Sequence, residues 1–101
     1  MHRLERWRPL IQGSTTEAQL LALMREYCGS WLPSELAQLP QGSPRCHVDS
    51  TDDIAGLALD FTAYELKYDG PEDVRQMLHD MALVFTAAAQ HMKRFRPGPL
   101  G

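Results

Sequence analysis

The chain has 101 residues, of which 44% are hydrophobic, and its formal net charge at pH 7 is −3. This length is typical of one domain and is sufficient to bury a core. Two cysteines are too few for a disulfide framework, and the acidic balance does not favour nucleic-acid binding.

Charge is distributed unevenly along the chain. Residues 1–13 hold three arginines against one glutamate, residues 93–101 hold three basic residues and no acid, and twelve acids with four bases lie between them. Nucleic-acid binders usually gather their basic residues on one broad face. We therefore interpret the basic ends as solvated and expect no nucleic-acid partner. The residues concerned are Arg3, Arg6, Arg8, Lys93, Arg94 and Arg96.

The N-terminus lacks the continuous apolar run of a signal peptide. The longest uncharged stretch, residues 81–92, is shorter than a membrane span. These features favour a cytoplasmic protein with no membrane partner. A bridge between Cys28 and Cys46 is geometrically feasible, but a cytoplasmic location favours reduced thiols. We expect a basic arm at 1–13, a helical bundle domain at 14–96 and a flexible tail at 97–101.

The first helix signal is "STTE", in which Ser14 can cap a helix while Glu17 reaches back. The apolar residues behind it are spaced four, three and four apart, and they are Leu20, Met24, Tyr27 and Trp31. Gly29 and Pro33 end this pattern. About one more helical turn is expected before Pro40, and then a loop to residue 50.

Two further helices are predicted, at about 51–68 and about 71–95. Their apolar residues also alternate spacings of three and four, and they are Ile54, Leu57, Phe61, Tyr64 and Tyr68, then Val74, Leu78, Met81, Phe85, Ala88, Met92 and Phe95. Between them Gly70 suits a left-handed C-cap and Pro71 suits a first helical position. No segment alternates with a period of two. The pattern predicts an all-α, antiparallel three-helix bundle without a β-sheet.

The last predicted helix is apolar on more than one side, because "MALVFTAAA", residues 81–89, has no charge. Two segments could pack against the apolar residues opposite the main seam of this helix. The N-terminal segment could pack across as a fourth element, since Leu4, Trp7 and Ile11 lie three and four residues apart. Alternatively, a second copy of the helix, or a partner's helix, could approach over the small residues. The sequence favours a homodimer, with an interface at Leu83, Ala87, Ala82, Thr86 and Ala89.

The stretch "RCHVDSTDDI", residues 45–54, concentrates potential ligands. Cys46, His47 and Asp49 are the candidate metal ligands. Zinc sites generally use separated pairs of ligands, however, and none is present. Helix initiation accounts for the acids, with Ser50 as N-cap and Asp53 in the first turn. We therefore expect a helix cap here, with no metal and no cofactor.

Catalytic patterns are also weak. Glu65 could serve as a base if burial raised its pKa, but solvation or pairing with Lys67 or Arg75 is favoured. His79 and Asp80 are adjacent on a predicted helix, so their side chains point apart. The chain has no phosphate-binding loop and no nucleophile elbow.

The favoured function is a non-enzymatic helical protein that acts through self-association and protein–protein interaction. An alternative is an acidic adaptor or inhibitor of a basic partner protein, because acids crowd the second and third predicted helices. A further alternative is a metal- or small-molecule-dependent enzyme that uses the Cys46 and His47 loop.

Overall fold

The computed structural model describes residues 3–95, and over that range the protein is all-α, with no strand. The helices are α1 (Arg3–Gly13), α2 (Glu17–Gly29), the short α3 (Pro33–Leu36), α4 (Thr51–Lys67) and α5 (Glu72–Met92). The predicted helical bundle is confirmed. No helix within residues 3–95 combines the length and the apolar character that crossing a membrane would require.

Helices α4 and α5 pack against each other in antiparallel orientation. The rings of Phe61 and Phe85 stack with their centroids 5.8 Å apart. One turn further along α4, Glu65 Oε2 lies 2.8 Å from Nδ1 of His79, which precedes Phe85 on α5. Residues later in α4 therefore pair with residues earlier in α5, as antiparallel packing requires.

Helix α1 packs along α5 and runs in the same direction. At one end, backbone N–H groups of Arg3 and Leu4 hydrogen-bond to the Asp80 carboxylate. At the other end, His91 Nε2 donates to the Ser14 carbonyl at 2.8 Å, a bond that requires the ring proton on Nε2. Residues 3–13, predicted as a basic arm that could fold across the bundle, therefore form a packed helix.

The core centres on Tyr27 of α2, which is fully buried. Its ring makes edge contacts with Trp7 of α1 at 5.5 Å, with Trp31 at 6.3 Å and with Phe85 of α5 at 5.9 Å. Edge-to-face aromatic pairs of this kind are individually favourable. One side chain thus joins three of the four long helices.

The structure corrects several local expectations. The N-cap of α2 is Thr16, whose side chain accepts from the Gln19 N–H at 3.1 Å; Ser14 is instead buried, two residues earlier. Helix α5 begins after Pro71, which is its N-cap, and ends at Met92. The predicted tail at 97–101 lies outside the described residues.

Gly70 is not the left-handed cap that the sequence suggested. Helix α4 ends at Lys67, and the backbone of its C-cap, Tyr68, is already extended. A Cβ at Gly70 would meet the Tyr68 ring, with its hydroxyl oxygen and Cζ the nearest atoms. Gly70 therefore leaves room for the Tyr68 side chain.

Candidate functional site

The three candidate metal ligands in the loop before α4, which the sequence favoured as part of a helix cap, do not converge. His47 Nε2 lies 2.9 Å from Asp49 Oδ1, and both side chains are exposed. Cys46 turns away from them, and its Sγ lies 3.3 Å from Sγ of Cys28. Among residues 3–95, no group of three or more His, Cys, Asp and Glu side chains is arranged to hold a metal ion.

The acids that follow this loop initiate α4, as the sequence predicted. Oδ2 of Asp53 accepts the backbone N–H of Asp49 at 2.7 Å and that of Ser50 at 3.0 Å. These two bonds hold the pKa of the Asp53 carboxyl below its usual value. The carboxylate therefore satisfies N–H groups that the helix start would otherwise leave unpaired.

The loop is fastened to α2 independently of its cysteine. Arg25 donates from Nε to the Val48 carbonyl at 3.3 Å and from Nη2 to the Asp49 carbonyl at 2.7 Å. Val48 is buried in the core at 2% exposure. Since Cys46 lies two residues before Val48, these contacts fix the loop that carries it.

We call Cys28 and Cys46 the thiol pair. Cys28 is buried near the end of α2, and Cys46 is half-buried on the loop. The hydrogen bond from the Cys46 thiol lowers the pKa of Cys28, and the same bond, with burial, raises the pKa of Cys46. Both residues line an open cavity of about 480 Å³ that His47 also borders. Sequence reasoning allowed a bridge here but could not place the two sulfurs in contact.

Glu65 has a different partner from those predicted. Its Oε2 bonds to His79 Nδ1 of α5, and the His79 side chain remains 46% exposed. Arg75 instead donates to the Tyr68 carbonyl at 2.7 Å. The prediction that Glu65 pairs with Lys67 or Arg75 was therefore wrong.

Asp80 joins three helices. The Tyr27 hydroxyl donates to its Oδ2 at 2.6 Å, and the first N–H groups of α1 bond to the same carboxylate. Burial raises the Asp80 pKa, while the bond from Tyr27 opposes that rise. As predicted, Asp80 does not orient His79, since the two side chains have partners on different helices.

A groove of about 500 Å³ runs between α1 and α5 beside Asp80. The Arg3 guanidinium lies 3.8 Å from the centroid of the Trp31 ring, donates to Ser30 Oγ at 2.6 Å and pairs with Glu35 at 3.7 Å. These polar groups satisfy one another, so they make a structural contact between α1 and the α3 region.

We call the five predicted interface residues of α5 the α5 face, and they are Ala82, Leu83, Thr86, Ala87 and Ala89. Ala82 is 4% exposed and Leu83 36%, while Thr86, Ala87 and Ala89 are half-buried. His79, Ala82, Thr86 and Ala89 are spaced three, four and three apart, which puts them on one side of the helix. Because His79 pairs with α4, that side faces α4. Helix α1 packs along another side, so neighbours within the chain cover most of this face.

The outer side of α4 is uncovered and was not singled out by sequence reasoning. Leu59 is 73% exposed and Leu66 is 83% exposed, seven residues apart on one side of the helix. From Ala55 onward, the residues that share this side are also exposed and uncharged. We call the set the α4 stripe, and it consists of Ala55, Leu59, Thr62, Ala63 and Leu66.

Comparisons of the chain with protein-family models, with curated proteins and with solved structures each gave no match.

Proposed function

We propose that this protein is a non-enzymatic helical protein that acts by reversible self-association, with the α4 stripes of two copies packed against each other. The observation that carries the proposal is the exposure of Leu59 and Leu66, in register on one helix face without an intervening charge. Single exposed leucines are ordinary on protein surfaces, but an aligned apolar helix face is typical of a docking surface.

The α4 stripe is complementary to a second, antiparallel copy of itself. Under two-fold symmetry, the register that places Leu66 opposite Ala55 of the other copy also places Leu59 opposite Thr62, beside Ala63. Each large side chain then meets small ones. Helices approach closely where large residues face small ones, as in interlocked helix pairs.

Charge favours the same arrangement. The antiparallel register brings Lys67, at the C-terminal end of one α4, beside Asp52 and Asp53 at the N-terminal end of the other. The opposite ends of the two helix dipoles also meet. Such rim contacts contribute more to orientation and specificity than to affinity.

The expected dimer is weak. Burying an exposed leucine contributes about 1.5–3 kcal/mol, so two leucines from each copy contribute roughly 6–12 kcal/mol. Association costs about 4–15 kcal/mol in lost freedom of motion. The balance corresponds to a dissociation constant in the micromolar range or weaker. Concentration would then control the oligomeric state.

Sedimentation velocity across a wide dilution series tests the proposal. We expect a reversible monomer–dimer transition that Leu66→Glu and Leu59→Glu each shift by at least roughly 100-fold in Kd, because a two-fold interface contains every substitution twice. Leu32→Glu is the matched control, since Leu32 is 60% exposed but lies outside the stripe. A monomer at all concentrations, or a dimer insensitive to both stripe substitutions, would overturn the proposal.

A cytoplasmic location is part of this proposal. The acidic adaptor is the alternative, and it predicts binding to a cationic protein that weakens as salt is added. Self-association through leucines predicts a dimer that persists as salt is added, because salt does not weaken apolar burial. Repeating the dilution series at several salt concentrations therefore separates the two functions.

A further inference from the structure

Two sulfur atoms from separate parts of the chain meet at the end of α2. Sγ of Cys28 and Sγ of Cys46 lie 3.3 Å apart across 18 residues of sequence, and both thiols are reduced. A disulfide bond has a length of about 2.05 Å. The two sulfurs therefore need to approach by little more than one ångström to bond.

The position of Cys46 does not depend on this contact. Arg25 holds the carbonyls of Val48 and Asp49, and the Val48 side chain is buried. The loop is therefore fixed to α2 by groups other than sulfur, and the fold itself brings the thiols together.

The thiol pair is also within reach of small molecules. Cys28 and Cys46 both line the open cavity of about 480 Å³, together with His47. A low-molecular-weight disulfide can enter a space of that size, whereas a fully enclosed pair would be protected from exchange.

We propose that Cys28 and Cys46 form an oxidative modification site, a dithiol that is converted to an intramolecular disulfide by exchange with a low-molecular-weight disulfide such as oxidised glutathione. This inference does not rest on self-association, since neither cysteine belongs to the α4 stripe.

The exchange proceeds in two steps. The Cys28 thiolate, which accepts a hydrogen bond from the Cys46 thiol, attacks one sulfur of the small disulfide, whose S–S bond breaks and releases one small thiolate. Cys46 then loses its proton to water and attacks the Cys28 sulfur. The mixed disulfide breaks and the second small thiolate leaves. The protein loses two electrons and two protons, and one small disulfide becomes two small thiols.

The disulfide would fasten the loop before α4 to α2 and stabilise the fold. A crosslink between residues 18 apart restricts the unfolded chain, and its effect corresponds to a rise in unfolding temperature of roughly 15 °C for a chain of this size. Thermodynamic linkage requires the reciprocal effect, so folding must favour the disulfide to the same degree.

The experiment equilibrates the full chain with mixtures of reduced and oxidised glutathione, quenches it by alkylation and measures the products by mass. It is repeated in guanidinium chloride, where the thiols meet only by chance. We expect an intramolecular disulfide whose equilibrium constant is roughly 100-fold larger in the native chain than in the unfolded chain. A native constant less than about threefold above the unfolded one would overturn the proposal, as would products that are solely mixed or intermolecular disulfides.

Single substitutions test the order of the two steps. Cys46→Ser should trap glutathione on Cys28, because the second attack cannot occur. Cys28→Ser should react more slowly than Cys46→Ser, since burial still raises the pKa of the remaining Cys46 thiol. Faster reaction of Cys28→Ser than of Cys46→Ser would overturn the assignment of Cys28 as the attacking thiol.

Discussion

The α5 face and the α4 stripe are two apolar helix surfaces that differ in their neighbours. Leu83 of the α5 face is 36% exposed and Ala82 is buried, because α4 and α1 pack along that helix. Leu59 and Leu66 of the α4 stripe are 73% and 83% exposed. The helix with the longer uncharged stretch is therefore the better covered of the two.

This difference shows that the composition of a helix does not determine what it offers to a partner. The α5 face is covered because the chain supplies α1, which buries Trp7 and Ile11. No helix of the described chain packs over the outer side of α4. The interface predicted on the α5 face stays a prediction, but neighbouring helices of the same chain largely cover the apolar surface that motivated it.

Removing the buried Trp7 side chain, which holds α1 against the core, should have the largest effect, because α1 is the helix that covers the α5 face. Trp7→Ala should lower the free energy of unfolding by about 3 kcal/mol, the lower end for a buried tryptophan, because the lost indole N–H has no hydrogen-bond partner. Urea unfolding measures this change. Leu32→Ala is the control, since it truncates an exposed side chain and should stay within about 0.5 kcal/mol of the parent.

The attachment of α1 and α2 to Asp80 should have the next largest effect. Asp80→Ala leaves the Tyr27 hydroxyl and the first N–H groups of α1 without their acceptor, which should cost about 2–3 kcal/mol. Adding Tyr27→Phe to that variant should cost less than it does in the parent, because the unpaired hydroxyl is then removed. Strictly additive losses in urea unfolding would contradict this coupling.

Tyr27 also predicts a dependence on alkaline pH. Burial and the nearby Asp80 carboxylate raise the pKa of Tyr27 well above its ordinary value of 10.0. Above about pH 10 the unfolded chain loses the Tyr27 proton while the folded chain keeps it, so the free energy of unfolding should fall as pH rises. Tyr27→Phe should reduce that slope. Tyr64→Phe, which alters a half-buried tyrosine, is the matched comparison.

The two surfaces can be compared directly with one substitution each. Leu66→Glu should abolish dimer formation, while Leu83→Glu should change the dissociation constant by less than about threefold. Leu66→Glu should leave the stability of the dilute monomer nearly unaltered, since Leu66 is 83% exposed, whereas Leu83→Glu should lower it modestly, since Leu83 is only 36% exposed. If light scattering showed that Leu83→Glu alone separates the dimer, the interface would lie on the α5 face.

The smallest expected effect concerns the start of α4, the helix that carries the stripe. The two backbone N–H bonds lower the Asp53 pKa, so their contribution to stability is present above its ordinary value of 3.8. It is lost as pH falls through the lowered value. Thermal unfolding followed by circular dichroism should show Asp53→Asn to be less sensitive to acid than the parent chain. Asp60→Asn, in the middle of the same helix, should behave like the parent.

Much of the fold could be predicted from local spacing. Apolar residues three and four apart identified the helices, including the N-terminal one through Leu4, Trp7 and Ile11. The error at the start of α2 arose because Ser14 is buried and its carbonyl accepts from His91, 77 residues away. The bond to a residue so far along the chain is not visible in the local sequence, so the local pattern did not identify Thr16 as the cap.

The candidate sites were less predictable, because their contacts join distant residues. Cys28 with Cys46, Glu65 with His79, and Tyr27 with Asp80 each lie on different elements. Nothing in the spacing of the sequence indicates such pairs. Leu59 and Leu66 did carry a local signal, seven residues apart and opposite the main seam of their helix. Predicting that these two leucines are exposed would have required knowing which side of α4 the rest of the chain covers.

The long sequence distance between α1 and its partner has a consequence for biosynthesis. A ribosome releases α1 before α5, and the bond from His91 to Ser14 spans 77 residues. Trp7 and Ile11 must therefore wait until α5 has been synthesised, exposed on a nascent helix that is too short to be stable alone. We expect chaperones that bind apolar nascent segments to engage this chain early, and to be released only when α5 has emerged.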